Sequence, residues 1–564
     1  MRPPEPSAAA PKRPDVLVLG AGLAGISTAL LLRRRHPEAR ILVIDQRSEL
    51  PSSGSSVPLT GVGSVFFSLV LHAAELLARE HLPRYGEHFW FSPSPRASLA
   101  ELSEVAADEF ATCPAHHVDT ARLAHELAER AEAEGVELQL GARVTSTHVD
   151  WPASRVSVET PEGPRELHAR WVVDASGGEA LLAHAIGLLQ PLGAPAAHLA
   201  GANWTALASI DGDGEDDVPS PAPFPRSREL ATQHFVGPRW RVRLCPHAGG
   251  GASVELLIEQ SLWREVAGER GALEAYSRFV RDAPGLRDLL RTARIDPDSF
   301  HASRHEDRTV SRRCDRGWFL VGDAALTPQS LFGSSLDALA RTAWNAVDVI
   351  ADDLSGVASE AQVVERLGRH NLRERQHDTA DAEALCTTSL ELAGDAALLT
   401  VAFALRRSVQ SQEIARVAAD PHQLSVVSWH TLWQRSLRGG VYARLRRLAR
   451  RRWETGRYGT KNRGWQVRLG PGEGTLRPLF AAVAQWIGVE YAGLREALRP
   501  ADADPHVGDA PEIQRRTAAL LVALEDARES AAPAPSRPLA ISAPVLELEP
   551  PGTGEERDPF ASIE

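Results

Sequence analysis

At 564 residues the chain exceeds what one hydrophobic core normally organises, so two or more domains or subdomains are expected. Its formal net charge of −12 excludes a general attraction for nucleic acid or for an anionic membrane surface. No apolar run approaches the roughly 18 residues of a bilayer span, and MRPPEPSAAAPKRP at the N-terminus has no apolar signal-peptide core. Cys113, Cys245, Cys314 and Cys386 lie far apart without CxxC spacing. Neither a metal site nor a disulfide framework is expected, and the chain reads as cytoplasmic with reduced thiols. Only two of its 62 basic residues are lysines, Lys12 and Lys461, so an arginine where a relative carries lysine is weak information by itself.

In chain order, residues 1–14 are Pro/Ala-rich and read as a disordered tail. PDVLVLGAGLAGISTALLLRRR then predicts a strand, a glycine-rich turn and a helix, and ARILVIDQ a second strand, which together open a parallel sheet. TARLAHELAERAEAEG, 120–135, has apolar residues at helical spacing; VELQLGARVTSTHVD and SRVSVETPEG alternate like antiparallel strands. RWVVDASGG is a further buried strand. From about 185 to 300 strands such as WRVRLC and ASVELLIE mix with the helix GALEAYSRFVRDAP. GWFLVGDAALTPQ returns to strand and loop, followed by a long helix through LDALARTAWNAVDVIADDLS. Residues 356–530 look mainly helical, and 531–564, rich in Pro, Glu and Ala, read as a tail.

The turn Gly20-Ala21-Gly22-Leu-Ala-Gly25 sits between a strand and a helix, and Asp45 ends the next strand 20 residues after Gly25. Gly20 permits the tight turn, Gly22 lets backbone approach a pyrophosphate, and Gly25 lets helix and strand pack closely. The helix N-terminus offers N–H groups and a positive dipole to phosphates, and Asp45 can accept hydrogen bonds from ribose hydroxyls. This predicts a dinucleotide site. Two later segments select FAD over a nicotinamide cofactor: Asp174-Ala-Ser-Gly177 and Gly322-Asp323-Ala324, each following a strand. The second resembles the GD motif of FAD-dependent hydroxylases and halogenases, whose Asp takes the ribityl hydroxyls. A buried strand ending in an Asp turn explains either motif singly, though not both in this order. No second GxGxxG serves a nicotinamide cofactor, so reduction falls to transient NAD(P)H or to a separate flavin reductase.

With both ends of the flavin site placed, the chain resembles the tryptophan-halogenase-like superfamily of flavin-dependent halogenases, within the FAD-dependent monooxygenase fold group, over roughly 14–350. GDAALTPQSLFGSSLDALA is similar to the family's GDA…DPxFSxGxxxA, with Phe332 and Asp337 matching. Gly237-Pro-Arg-Trp240-Arg-Val242-Arg243 lies where the family carries GWxWxIP; Pro238 replaces the first Trp and Arg243 the Pro. LPRYGEHFWF, 82–91, resembles LPKxGxxFWF, whose lysine is the family's catalytic one; here it is Arg84. A guanidinium is planar and permanently protonated, so Arg84 can hold an anion but is a poor haloamine former. Neither Lys12 nor Lys461 is placed to substitute. The family's SxG reads Gly333-Ser334-Ser335, which crowds the halide pocket. Arg84 thus has three readings: drift in a working halogenase, a solvent-exposed residue without a role, or a retained cation serving altered chemistry.

The resemblance implies an α/β fold: a discontinuous Rossmann-like FAD domain (15–50, 110–180, 305–355), a mixed-sheet substrate domain (51–109, 181–304) and a helical C-terminal region (356–530). The expected activity is FAD-dependent oxidation through a flavin C4a-(hydro)peroxide on an aromatic or polyketide-like small molecule of secondary metabolism, oxygenation being favoured over halogen transfer. A working halogenase and a non-catalytic FAD-binding or carrier-partner scaffold are the alternatives. The candidate cofactor contacts are Gly20, Ala21, Gly22, Gly25, Asp45, Gln46, Arg122, Val144, Gly322 and Asp323, with Arg122 resembling the arginine that lies along FAD in related hydroxylases; Arg84 is the candidate catalytic residue. His116 and His117 look like an acid–base pair, but neighbours on a strand point to opposite faces. RLRRLARRRW, 444–453, is either a solvated helical face or a dock for an acidic carrier protein presenting a tethered substrate. Trp429, Trp433, Trp453 and Trp465 either pack helices or cap a substrate tunnel.

Overall fold

The structure, a computed structural model, describes residues 13–52, 54–107, 114–192, 196–211, 228–327, 335–425, 429–459, 462 and 466–469. Of the two tails read from the sequence, only residues 13 and 14 fall within this set.

Among the described residues, six strands form the nucleotide-binding sheet in the order Cys314–Asp315, Trp318–Leu320, Trp171–Asp174, Val16–Leu19, Ile41–Ile44, Glu137–Gln139. All neighbours are parallel except the first pair. VLVL, ILVI and WVVD are buried on both faces, as parallel strands must be. Their alternation divides the core. Val16, Val18, Ile41, Val43 and Val173 pack with the helices Leu23–Arg35, Thr120–Ala133 and Ser335–Leu354. Leu17, Leu19, Leu42, Ile44 and Val172 pack instead with Val156 and Val158 of a three-stranded antiparallel sheet. One expectation needs correcting here. Glu137–Gln139 joins the parallel sheet beside Ile41–Ile44; Ser154–Thr160 pairs antiparallel with Arg143–His148 and with Gly163–Ala169. Alternation reports a half-buried strand but not its partner's direction.

The mixed sheet runs Arg294–Ile295, Ala197–Thr205, Ala252–Glu259, Trp240–Pro246, Thr232–Gly237, Glu87–Phe91, Ser103–Ala107, Gln466–Leu469, with His301–His305 also on Ala197–Thr205. One face is apolar: Trp90, Phe235, Val242, Leu244, Val254, Leu256 and Ile258 pack against the helices Gln260–Ala267 and Ala272–Asp282. Over part of the other face, Phe89, Phe91, Val105 and Val236 meet Leu398, Val401 and Phe403 of the C-terminal helix Ala396–Ala419. The helices Glu360–Leu392 and Trp429–Glu454 complete the C-terminal region. Within the stretch read as mainly helical, Gln466–Leu469 is a strand pairing parallel with Ser103–Ala107. Its QVRL alternation is too short to be told from helix by pattern. No single helix among the described residues is long and apolar enough to cross a membrane.

Candidate functional site

The glycine turn is shaped by backbone contacts. Gly20 has φ +105°, and a Cβ there would sit 2.6 Å from the Ala175 carbonyl oxygen. At Gly25 a Cβ would fall 1.9 Å from the Gly20 carbonyl oxygen, so helix and strand could not meet with any side chain present. Over Gly22 there is open space, at the N-cap of the helix Leu23–Arg35. This is a cradle that any side chain would fill, placed where a pyrophosphate would meet the helix N-terminus. The Asp45 carboxylate accepts from the Ala21 N–H (2.8 Å) and the Arg47 N–H (2.9 Å), and Arg47 grips it with two guanidinium nitrogens at 2.9 and 2.7 Å. Burial would raise the Asp45 carboxyl; Arg47 and the two backbone donors outweigh it and hold it below the ordinary carboxylate value. Asp45 is therefore an acceptor at neutral pH. Sequence reasoning missed Arg47, and its i+2 position after Asp45 gave no periodic signal.

Three strand ends meet at this turn. Leu19, Asp174 and Leu320 stand in register on adjacent parallel strands, so Gly20, Ala175 and Val321 line up at the carboxyl edge, where open α/β sheets bind ligands. Gly322, at φ +63°, donates its N–H to Thr342 Oγ1 (2.9 Å), and a Cβ on it would lie 3.1 Å from Ala24 Cβ. The acidic loop and the glycine turn thus touch, some 300 positions apart in sequence. The Asp174 carboxylate is consumed locally by Ser176 N–H (3.0 Å), Ser176 Oγ (2.5 Å) and Leu182 N–H (2.8 Å), so it shapes its own turn.

Asp323 lines a cavity of about 920 Å³ with Val57, Arg241, Arg243, Glu255, Arg308 and Ser335. Burial pushes its carboxyl up to about 6, partly offset by His305 and Arg308. Ser335 is exposed at the cavity wall; Phe332, Gly333 and Ser334 lie outside the described residues. Asp337 is buried and accepts the Gly63 N–H at 2.7 Å. Gly61 and Gly63 leave it room, since a Cβ on either would be within 3.3 Å of its oxygens. Burial raises Asp337 to about 6 as well.

On the mixed sheet, the Gly237–Trp240 motif is a two-residue hairpin. Trp240 lies so close over Gly237 that a Cβ there would be 2.3 Å from its ring, and Arg239 takes φ 69° in the turn. The following strand alternates Arg241, Val242, Arg243, Leu244. Both arginines therefore face away from the apolar core, and they share one carboxylate: Arg241 Nη2 to Glu255 Oε1 at 2.7 Å, Arg243 Nη2 to Glu255 Oε2 at 3.0 Å. The register puts His234 opposite Arg243 and Arg243 opposite Glu255, with Glu255 opposite Gly201 and Gly201 opposite His301. A polar row thus crosses five strands. Its signal was in the sequence: arginines at i and i+2 of a strand share a face.

Arg84 lies at the far side of this row. It is 3% exposed, donates from Nε to Thr232 Oγ1 (2.6 Å) and pairs with Glu87 at 3.0 Å. The expectation of solvent exposure is therefore corrected: Arg84 is buried. Nor is Arg84 among the residues lining the 920 Å³ cavity. His234, 3.7 Å from Glu87, stands between it and Arg243. Burial would raise Glu87, but Arg84 and His234 hold it down at about 2; burial takes His234 down to about 4, so it is neutral at pH 7.

The remaining candidates divide. The Arg122 guanidinium is ion-paired to Glu80 and to Glu126 (3.2 Å) at the start of the helix Thr120–Ala133. Gln46 is exposed beside Asp45, and Val144 packs against the core shared by the parallel and antiparallel sheets. His116 and His117 are both buried and shifted down by burial, with His117 Nε2 3.2 Å from the Leu230 carbonyl. Of the basic cluster, Arg446 and Arg450 pair with Glu391 and Arg452 with Asp395, so part of it holds helices together. Trp453 is exposed. Lys12, Lys461, Cys113, Trp465 and the side chains of Trp429, Trp433 and Cys386 lie outside the described residues. Among the described residues no His/Cys/Asp/Glu cluster could hold a metal ion.

A Rossmann-type sheet with an open cradle at Gly22, an acidic side chain ending the second strand and a Gly322-Asp323 turn against the nucleotide helix defines a flavoprotein of the monooxygenase and halogenase fold group. A family model described as the FAD binding domain matches residues 13–363, and the chain belongs to that family, with FAD as its cofactor. No curated protein matches the chain. Among solved structures, the halogenase PltM is similar over 84% of this chain and 97% of its own, at 13% identity and TM-score 0.65. A flavoprotein/dehydrogenase from Cytophaga hutchinsonii is similar over 77% and 99%, at 18% identity and TM-score 0.55. p-Nitrophenol 4-monooxygenase PnpA from Pseudomonas putida DLL-E4 is similar over 74% and 99%, at 15% identity and TM-score 0.56. At these identities the likeness is one of fold.

Proposed function

We propose that the chain is an FAD-dependent monooxygenase of secondary metabolism that oxygenates an aromatic or polyketide-like small molecule in the 920 Å³ cavity, and does not transfer halogen. The observation that supports this most is the state of Arg84. A haloamine step needs a nucleophilic amine beside the substrate, whereas Arg84 is a guanidinium locked onto Glu87 and Thr232 and set back from the cavity lining. When bound and reduced, FAD would supply the two electrons and the O2 activation that put one oxygen atom into the substrate and release the other as water. The chain's own groups bind and orient. Gly22 and the helix behind it would take the pyrophosphate, Asp45 the adenosine ribose, and Asp323 the ribityl hydroxyls. Arg122, whose guanidinium pairs with Glu80 and Glu126, would lie along FAD with its remaining N–H donors.

The test supplies purified protein, reduced FAD, isotopically labelled O2, bromide and an electron-rich phenol. Labelled oxygen in the product without bromination is the expected result. A brominated product overturns it in favour of a halogenase working with Arg84. Absence of both FAD retention and O2 consumption leaves a scaffold. Turnover on NAD(P)H alone, against turnover only with pre-reduced FAD, separates transient nicotinamide binding from a dedicated reductase.

A further inference from the structure

Part of the cavity wall is built from charge: Arg241, Arg243 and Glu255 line it together with Arg308 and Asp323. Arg243 stands where the resembling motif carries a proline, and Arg241 lies two residues before it on the same face. Together they straddle Glu255, one guanidinium on each carboxylate oxygen. The Arg243 side chain is 16% exposed and lines the cavity, and its bond to Glu255 uses one of the five N–H donors of a guanidinium. The flanking groups keep their charge states across the neutral range. His234 is uncharged, Glu87 is ionised, and Arg241, although pushed down to about 10 by burial, remains cationic. A cation fixed on a central strand, its side chain only 16% exposed, is suited to a planar oxyanion, which it can take through two parallel N–H···O bonds.

We propose that Arg243, held in place by Glu255 and Arg241, is the specificity-determining residue of this cavity and reads a carboxylate on the substrate, making the substrate class an aromatic or polyketide-like acid. Arg241 and Glu255 are positioning residues: the first is 2% exposed, and the second aims both guanidiniums. The carboxylate would anchor at the sheet, leaving the rest of the molecule to extend towards the wall formed by Asp323 and Ser335. This rests on the oxygenase reading only for the existence of a substrate in the cavity. It concerns binding, which the oxidised holoenzyme reports without turnover.

The experiment titrates oxidised, FAD-loaded protein with benzoate, cinnamate and 1-naphthoate, and with the corresponding neutral amides, following the flavin absorbance and fluorescence. At least one acid should bind on the order of 10- to 100-fold more tightly than its amide, the range expected for a hydrogen bond to a charged group. Arg243→Gln should erase that preference, weakening the acids far more than the amides, while leaving FAD retention unchanged. Arg243→Lys, which keeps the charge but loses the fork, should fall between. Arg304→Gln, at the exposed rim of the same cavity, controls for general electrostatics and should change nothing beyond about twofold. The proposal is overturned if no acid in the panel outbinds its amide, or if Arg243→Gln keeps the preference. It is also overturned if bromide perturbs the flavin through Arg243 while the acids do not, which would assign the site to halide. Failure of oxygenation with the acid preference intact would count against the oxygenase reading alone.

Discussion

The two faces of the mixed sheet are made by the same strands and do opposite work. Along Trp240–Pro246, Val242 and Leu244 enter a core closed by two helices, while Arg241 and Arg243, one position out of phase, face Glu255 and the cavity. The apolar face is stabilised by area removed from water, is tolerant of chemistry and intolerant of lost volume. The polar face is the reverse. Its groups are costly to desolvate, are kept because they are paired, and are sensitive to the loss of one partner. A strand's period of two therefore lets one element carry stability on one side and recognition on the other.

Breaking the apolar face should give the largest effect. Phe235 is fully buried, stacked on Trp90 at a centroid distance of 6.0 Å, and belongs to the apolar face. Phe235→Ala should cost about 3–5 kcal/mol in a urea melt, with the FAD affinity of the remaining folded protein unaltered. Breaking the polar face comes next. Glu255→Gln removes the one carboxylate between Arg241 and Arg243 and leaves two guanidiniums side by side. A loss of about 3 kcal/mol is expected by the same melt. High salt should recover part of it, as it should not for Phe235→Ala. If the two variants show the same salt response, the contrast between the faces is wrong.

The parallel half of the fold was largely legible because its signals are local. A glycine turn between a strand and a helix, an acid 20 residues on and a later acidic turn are short patterns that have one physical reading when taken together. What escaped were relations between distant segments. That Gly322 rests on Ala24, that Gly63 donates to Asp337, or that Gln466–Leu469 adds to Ser103–Ala107 depends on pairings that no window of sequence contains. The polar row lies between these cases. Its alternation was visible in WRVRLC, but that Arg243 would stand opposite both His234 and Glu255 follows only from register. Arg84 shows the cost of reading a motif alone: the motif located it, and only burial and Glu87 say what holds it.

Acid and alkali should act at different carboxylates, which sharpens the comparison further. Glu87 is held down at about 2, so its contribution is present above its ordinary value and is lost as pH falls through about 2. Asp337 is raised to about 6, so its contribution is full below its ordinary value and is lost as pH rises through about 6. Asp337→Asn keeps an acceptor for the Gly63 N–H without the buried charge. It should be neutral near pH 4 and stabilising by about 2–3 kcal/mol at pH 8, read as a Tm difference that grows with pH. A constant difference across that range would show that Asp337 does not titrate there.

The smallest expected change in stability carries the most functional information. Arg84→Lys keeps a cation beside Glu87 but gives up the planar fork whose Nε donates to Thr232 Oγ1. The lost hydrogen bond should cost about 1–2 kcal/mol in the urea melt, well below Phe235→Ala. In the oxygenation assay with bromide present, the product should remain free of halogen. The new amine would still be buried behind Glu87 and His234, outside the lining of the cavity, where no oxidised halide formed near the flavin could meet both it and a substrate. Bromination gained by this single change would mean that the position communicates with the cavity after all, and that the guanidinium alone had silenced a halogenase. Because the melt and the product are read on the same variant, a misfolded protein cannot be mistaken for a chemically silent one.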